Sequence, residues 1–90
     1  MATILVFHEV DNVDHWLSSA KRQEVFGPMG ITGRLFVDPV KTNRVGLIVE
    51  VPDMETFQKA MQSDEAANAI RFDGVRPDTF VVLTEASGSM

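Results

Sequence analysis

The sequence predicts an α+β domain in the order β-α-β-β-α(α)-β. Three observations predict it. Four short stretches are rich in β-branched and aromatic residues. Helix-period apolar patterns lie between the first and second of these and between the third and fourth. Only the turn PVKTN separates the second from the third, too short for a crossover, so those two strands form a hairpin.

The elements follow in order. Thr3 to Val10 (TILVFHEV) reads as the first strand. Asp11 is placed to cap a helix, with Asp14 in its first turn near the positive end of the dipole. Val13, Trp16, Leu17 and Ala20 fall at i, i+3, i+4 and i+7, one helical face. Glu24 would land on that face, so the helix is expected to stop just before it, leaving VFGPMG as a connection. Ile31 to Asp38 and Arg44 to Val51 are the hairpin strands. Asp53 caps a helix whose inner face is Met54, Phe57, Ala60 and Met61. Asp64 would interrupt that face, so Ser63 is read as a fresh cap for a short helix over Asp64 to Phe72, stopped by Gly74. Thr79 to Ala86 is the last strand. Residues 1–86 are expected to form one domain and 87–90 a frayed tail. Right-handed crossovers around a central hairpin give a ferredoxin-like antiparallel sheet in the order 4-1-3-2, with helices on one face.

Composition narrows the function classes. The 90 residues carry a net charge of −5, and their eight Lys and Arg are scattered, which argues against nucleic acid as a partner. No apolar run is long enough to span a bilayer, and MATILVF has no basic leader region, so neither a membrane nor a signal peptide is expected and a cytoplasmic location is. With no cysteine there is no disulfide, thiolate nucleophile or zinc–sulfur site. Phosphate-binding loops, dinucleotide glycine fingerprints and serine elbows are absent. No cofactor is expected.

The hairpin has two unlike faces. Pairing Asp38 with Arg44 sets Phe36 opposite Gly46, Arg34 opposite Ile48 and Thr32 opposite Glu50. Ile31, Gly33, Leu35, Val37, Val45, Leu47, Val49 and Val51 then share an apolar face, assigned to the helices. Thr32, Arg34, Phe36, Asp38, Arg44, Gly46, Ile48 and Glu50 share a mixed one. Water alone would not call for Phe36 and Ile48, and a dry core would not take Arg34 and Glu50 unpaired. A second copy of the chain is the simplest cover, enclosing a cavity between two sheets.

This element order, together with the passage VEVPDMETFQKAMQSDEAANAIRFDGVRPDTFVVLTE, resembles the dimeric α/β-barrel superfamily over roughly Ala2 to Ala86. That group includes antibiotic-biosynthesis monooxygenases, muconolactone isomerases, stress-responsive barrel proteins, haem-degrading enzymes and polyketide cyclases. The resemblance implies a homodimer and an enclosed interior, but no particular branch or reaction, since one fold hosts unrelated functions. Monooxygenase and haem-degrading branches use a tryptophan later in the chain. Here Trp16 is the only one, placed for core packing, and there is no tyrosine.

Candidate site residues follow from the mixed face. If Ile4, Val6 and His8 lie on it, His8 stands beside the strand of Glu50, and the two can act as acid and base. The alternative is a core histidine bonded to backbone or to Glu50. Arg34 would hold an anionic or carbonyl oxygen, with Phe36 and Ile48 as walls. Alternatively, Arg34 and Glu50 form an ion pair in a dimer seam. The opening cluster His8, Glu9, Asp11, Asp14 and His15 is not read as a metal site. His8 and Glu9 point to opposite strand faces, and His15 sits on the helix face away from Val13, Trp16, Leu17 and Ala20. Phe26, Met29 and Phe72 are either a pocket rim or ordinary packing. The sequence thus predicts a small homodimer binding a small organic molecule. It leaves open whether this is a cofactor-free cyclase, isomerase or monooxygenase, or a binding or interaction module without catalysis.

Overall fold

The computed structural model describes residues 2–88. Four antiparallel strands, β1 (Ala2–Val10), β2 (Thr32–Val37), β3 (Arg44–Val51) and β4 (Val75–Thr84), form one sheet in the order β2-β3-β1-β4. This is the expected 4-1-3-2 order. The hairpin register is also as expected, with Thr32, Arg34 and Phe36 opposite Glu50, Ile48 and Gly46. The helices α1 (Val13–Ser18), α2 (Lys21–Phe26), α3 (Met54–Met61) and α4 (Asp64–Phe72) complete the ferredoxin-like α+β domain. Of the expected tail, Ser89 and Met90 lie outside the described residues.

Side-chain alternation builds the core. Ile4, Val6, Val49 and Val51 are buried on one sheet face, packed with Ala60 and against Phe26, Met29, Met54 and Phe57 from the helical layer. A smaller cluster of Val10, Trp16 and Val45 closes the other end. Each such aliphatic side chain contributes roughly 1.5–3 kcal/mol by leaving water. The apolar face assigned to the helices is only partly covered. Ile31, Val45, Val49 and Val51 are buried, whereas Leu35 and Val37 stay exposed because β2 is an edge strand beyond the reach of the helices.

The two helices of the second crossover start where their caps dictate. Asp53 accepts from Thr56 N at 2.7 Å, and Ser63 Oγ accepts from Ala66 N at 3.1 Å. Gly74 follows α4 with φ +71°, tucked against Asp11, a conformation that costs a residue without Cβ little.

The first crossover departs from expectation at both ends. The cap is Asn12, whose Oδ1 accepts from His15 N at 2.9 Å. Asp11 is instead drawn to Arg76, 2.9 Å away, while its N–H donates to Gly74 O. The helix then breaks at Ser19, where the backbone turns extended, and restarts at Lys21, reaching Phe26. The break resets the helical phase, so Glu24 lies inside α2 and still faces water. Gly27–Met29 form a single 3-10 turn before Gly30.

The last strand begins at Val75, earlier than expected. Its pairing with β1 shifts register between Phe7 and Glu9. Pro77, unable to donate a ladder bond, sits on this edge strand within the irregularity. Thr79 Oγ1 repairs the gap, accepting from Glu9 N at 2.8 Å and donating to Arg76 O at 2.6 Å.

Candidate functional site: a cavity between helices and sheet

The parity of β1 decides where the chemistry lies. Ile4, Val6 and His8 point toward the helices and are 0%, 3% and 5% exposed. Thr3, Leu5 and Phe7 point the other way, opposite Glu50, Ile48 and Gly46. The expected single site combining His8 with Glu50, Arg34, Phe36 and Ile48 is therefore not formed within the chain. His8 is on one face of the sheet and the other four are on the opposite face. Leu5 and Phe7 were compatible with either face as residues. Burial of Ile4 against the helical core is what fixes the phase.

On the open face, Glu50 accepts hydrogen bonds from Thr3 Oγ1 at 3.0 Å to each carboxylate oxygen. Among the described residues Arg34 has no ion-pair partner, and it does not meet Glu50 within the chain. Phe36 is 47% exposed and Ile48 half-buried. Gly46 stands between Phe36 and Phe7 in the register, and a Cβ there would crowd the Val6 carbonyl oxygen at 3.3 Å and touch the Phe7 ring at 3.4 Å. A concavity of about 410 Å³ opens here, lined by Phe7, Phe36, Arg44, Thr79 and Val81.

His8 borders that concavity too, but its ring lies on the helical side, where it lines a cavity of about 530 Å³. Its walls are mostly apolar, including Val6, Leu47, Phe26, Phe57 and Phe80. The His8 ring lies parallel to Phe80, with centroids 5.6 Å apart, and Trp16 meets it edge-on at 5.7 Å. Among the described residues, two buried side-chain polar atoms lack a hydrogen-bond partner, His8 Nδ1 and Trp16 Nε1. Leaving a buried polar group unpaired costs about 1–3 kcal/mol. Here both atoms belong to side chains that line the same cavity.

A charged pair forms another part of the wall. Asp73, 1% exposed, accepts hydrogen bonds from Arg22 Nη1 at 2.6 Å and from the Ser19 hydroxyl at 2.5 Å. Arg22 Nη2 donates to the Trp16 carbonyl at 2.7 Å, and the guanidinium lies 4.7 Å over the Trp16 ring. The pair spans the helix break, since Ser19 and Arg22 flank it and Asp73 caps α4. Burial pushes the His8 pKa below its usual value of 6.5. The neighbouring Glu9 backbone works in the opposite sense, Arg22 pushes the pKa down further, and Asp73 opposes Arg22. His8 is accordingly neutral at neutral pH, with one ring nitrogen able to accept and the other to donate.

The network of Ser19, Arg22 and Asp73 had no signal in the sequence. Asp73 precedes Gly74 and reads only as part of a helix stop. Arg22 could be placed only by knowing that the helix breaks at Ser19. His15, expected to face solvent, does so, with Nε2 2.7 Å from the Phe72 carbonyl oxygen. Leu17, assigned to the buried stripe, is exposed at the cavity wall. No group of three His, Asp or Glu close enough to hold a metal is present among the described residues.

No family model and no curated protein matches the sequence. Among solved structures, the chain is similar to the crystal structure of an antibiotic biosynthesis monooxygenase. The match has a TM-score of 0.66 at 12% sequence identity and covers 99% of this chain and 100% of that one. The two share the ferredoxin-like fold. At that identity the likeness concerns the backbone, and the side chains of the cavity must speak for themselves. No helix among the described residues is long and apolar enough to cross a membrane.

Proposed function

We propose that this chain is a homodimeric barrel protein that binds a small, mainly apolar organic molecule in the cavity between its helices and its sheet. In this reading His8 is the proton-transferring group of a cofactor-free cyclisation, isomerisation or oxygenation. The observation that carries the reading is the coincidence of the roughly 530 Å³ cavity with two buried, unpartnered polar atoms, His8 Nδ1 and Trp16 Nε1. That volume falls within the ~300–1,000 Å³ usual for ligand pockets. A neutral imidazole among apolar walls can take a proton from a bound hydroxyl or activated carbon and return it elsewhere on the same molecule. Arg34, Phe36, Ile48 and Glu50 are assigned to the seam with the second copy. There Phe36 and Ile48 supply apolar area, and Arg34 finds the acidic partner it lacks among the described residues.

A binding role without catalysis has its own support. A catalytic imidazole is usually oriented by a hydrogen-bonded carboxylate. The one carboxylate on the cavity wall, Asp73, is engaged by Arg22 and Ser19 instead.

The test starts from protein isolated from its own cells, extracted so that retained small molecules can be identified by mass spectrometry. If that compound is turned over, His8→Gln is expected to lower kcat by about 100-fold or more, the usual contribution of general acid–base catalysis, while binding persists. Unchanged kcat removes His8 from the chemistry. Tight binding without turnover leaves the binding role. Loss of ligand binding in Arg34→Ala or Phe36→Ala, with the dimer intact, would move the site to the open face.

A further inference from the structure

We infer that the cavity selects an uncharged molecule bearing a carbonyl or hydroxyl oxygen, seated against Trp16 Nε1 and His8, and discriminates against carboxylates. The inference rests on the binding reading above and adds the chemical class of the ligand. Trp16 is 0% exposed and its indole N–H, a donor only, is unpartnered. It asks for an acceptor oxygen. His8, also buried and unpartnered at Nδ1, offers a second polar contact beside it, the two rings being 5.7 Å apart. A ketone satisfies the indole, and a hydroxyl can serve either ring.

Charge decides the rest. Arg22 is the only Lys or Arg among the cavity-lining residues. Its positive charge is already met by Asp73, and its second terminal nitrogen is held by the Trp16 carbonyl. A carboxylate entering the cavity would leave water, approach the buried Asp73, and find no free cation in return. A neutral oxygen pays none of these penalties. The remaining walls, including Val6, Leu47, Phe26 and Phe57, suit a hydrocarbon body.

The test compares 2-decanone with decanoate at neutral pH, by titration calorimetry and by the 1H–15N resonance of the indole N–H. Trp16 is the only tryptophan, so that resonance is unambiguous. The ketone is expected to bind at least about tenfold more tightly than the carboxylate, a difference of about 1.4 kcal/mol, and to move the indole proton downfield. Asp73→Asn keeps the shape while freeing the Arg22 charge, and is expected to shift the preference toward decanoate. Equal or tighter binding of decanoate by the unaltered protein overturns the inference and leaves the binding reading standing. So does ketone binding that leaves the indole proton unmoved. Binding of neither probe overturns both.

Discussion

On the helix side of β1, Ile4, Val6 and Val10 are sealed against helices and strands, and His8 looks into a cavity. On the open side, Phe7 is 43% exposed in a row with Val81, Gly46 and Phe36, bordered by Glu9, Arg44 and Arg76. Both faces are apolar at their centres, yet they hold their polar groups differently. The inner face buries polar groups, pairing Arg22 with Asp73 and leaving two atoms of His8 and Trp16 unpaired. The outer face keeps charge at its rim and in Arg34, within reach of water. Burial with unmet hydrogen-bonding capacity suits a small molecule. An apolar strip with a charged border suits another protein surface.

The comparison breaks most visibly if paired substitutions on the two faces behave alike. Trp16→Ala removes the largest fully buried side chain and is expected to cost about 3–5 kcal/mol of folding free energy, read by urea denaturation. Phe36→Asp, from the half-exposed outer row, should leave the isolated fold nearly as stable. Its effect should appear in association instead, because an unpaired carboxylate would be buried in the seam. Sedimentation is expected to show the particle falling from twice the 10.0 kDa chain mass to once. Since any dimer couples folding to concentration, both variants need dilution series. A monomeric parent protein would remove the assigned role of the outer face.

His8 gives the next effect. Its pKa is lowered in the fold, chiefly by burial. Below the unfolded value of 6.5 the unfolded chain binds the proton first, so acidification favours unfolding. Stability contributed by the neutral ring is therefore complete above pH 6.5 and is lost progressively as pH falls from there toward the lowered native pKa. Arg22 deepens the loss and Asp73 limits it. His8→Phe should flatten this part of the stability–pH curve, while His15→Phe should leave it in place. A parent protein equally stable through this range would mean that the ring is well solvated. It would then lose its standing as the buried polar group of the cavity.

The fold was far more legible than the site, and the reason is local. Asp53, Ser63 and the β3 stretch RVGLIVEV each carry their signal within a few residues, and the structure starts or ends elements where those signals fall. The hairpin register followed from a five-residue turn. Facing on β1 did not, because Ile4, Leu5, Val6 and Phe7 are apolar on both sides, and the strand is covered by helices on one and left open on the other. The break at Ser19 was hidden because its cause is tertiary. Ser19 donates to Asp73, 54 residues away, and no window of sequence contains both. Without the break, helical periodicity does not place Arg22 over Trp16, so the charged wall of the cavity has no local signature.

The smallest effect sharpens the comparison on the outer face, where Glu50 was a candidate proton carrier. Its carboxylate is held at both oxygens by the Thr3 hydroxyl across the strand pair. Thr3→Val keeps the β-branched shape and removes only the donor. It is expected to cost about 0.5–1.5 kcal/mol, the usual net worth of one hydrogen bond, measured by denaturation at a concentration where association is complete. If Glu50 belongs to the seam, the same substitution should weaken dimerisation and leave ligand affinity in the helical cavity unchanged, because the sheet separates the two. Altered ligand affinity with dimerisation untouched would show that the sheet does not insulate its faces, and Glu50 would return to the list of groups that act on the bound molecule.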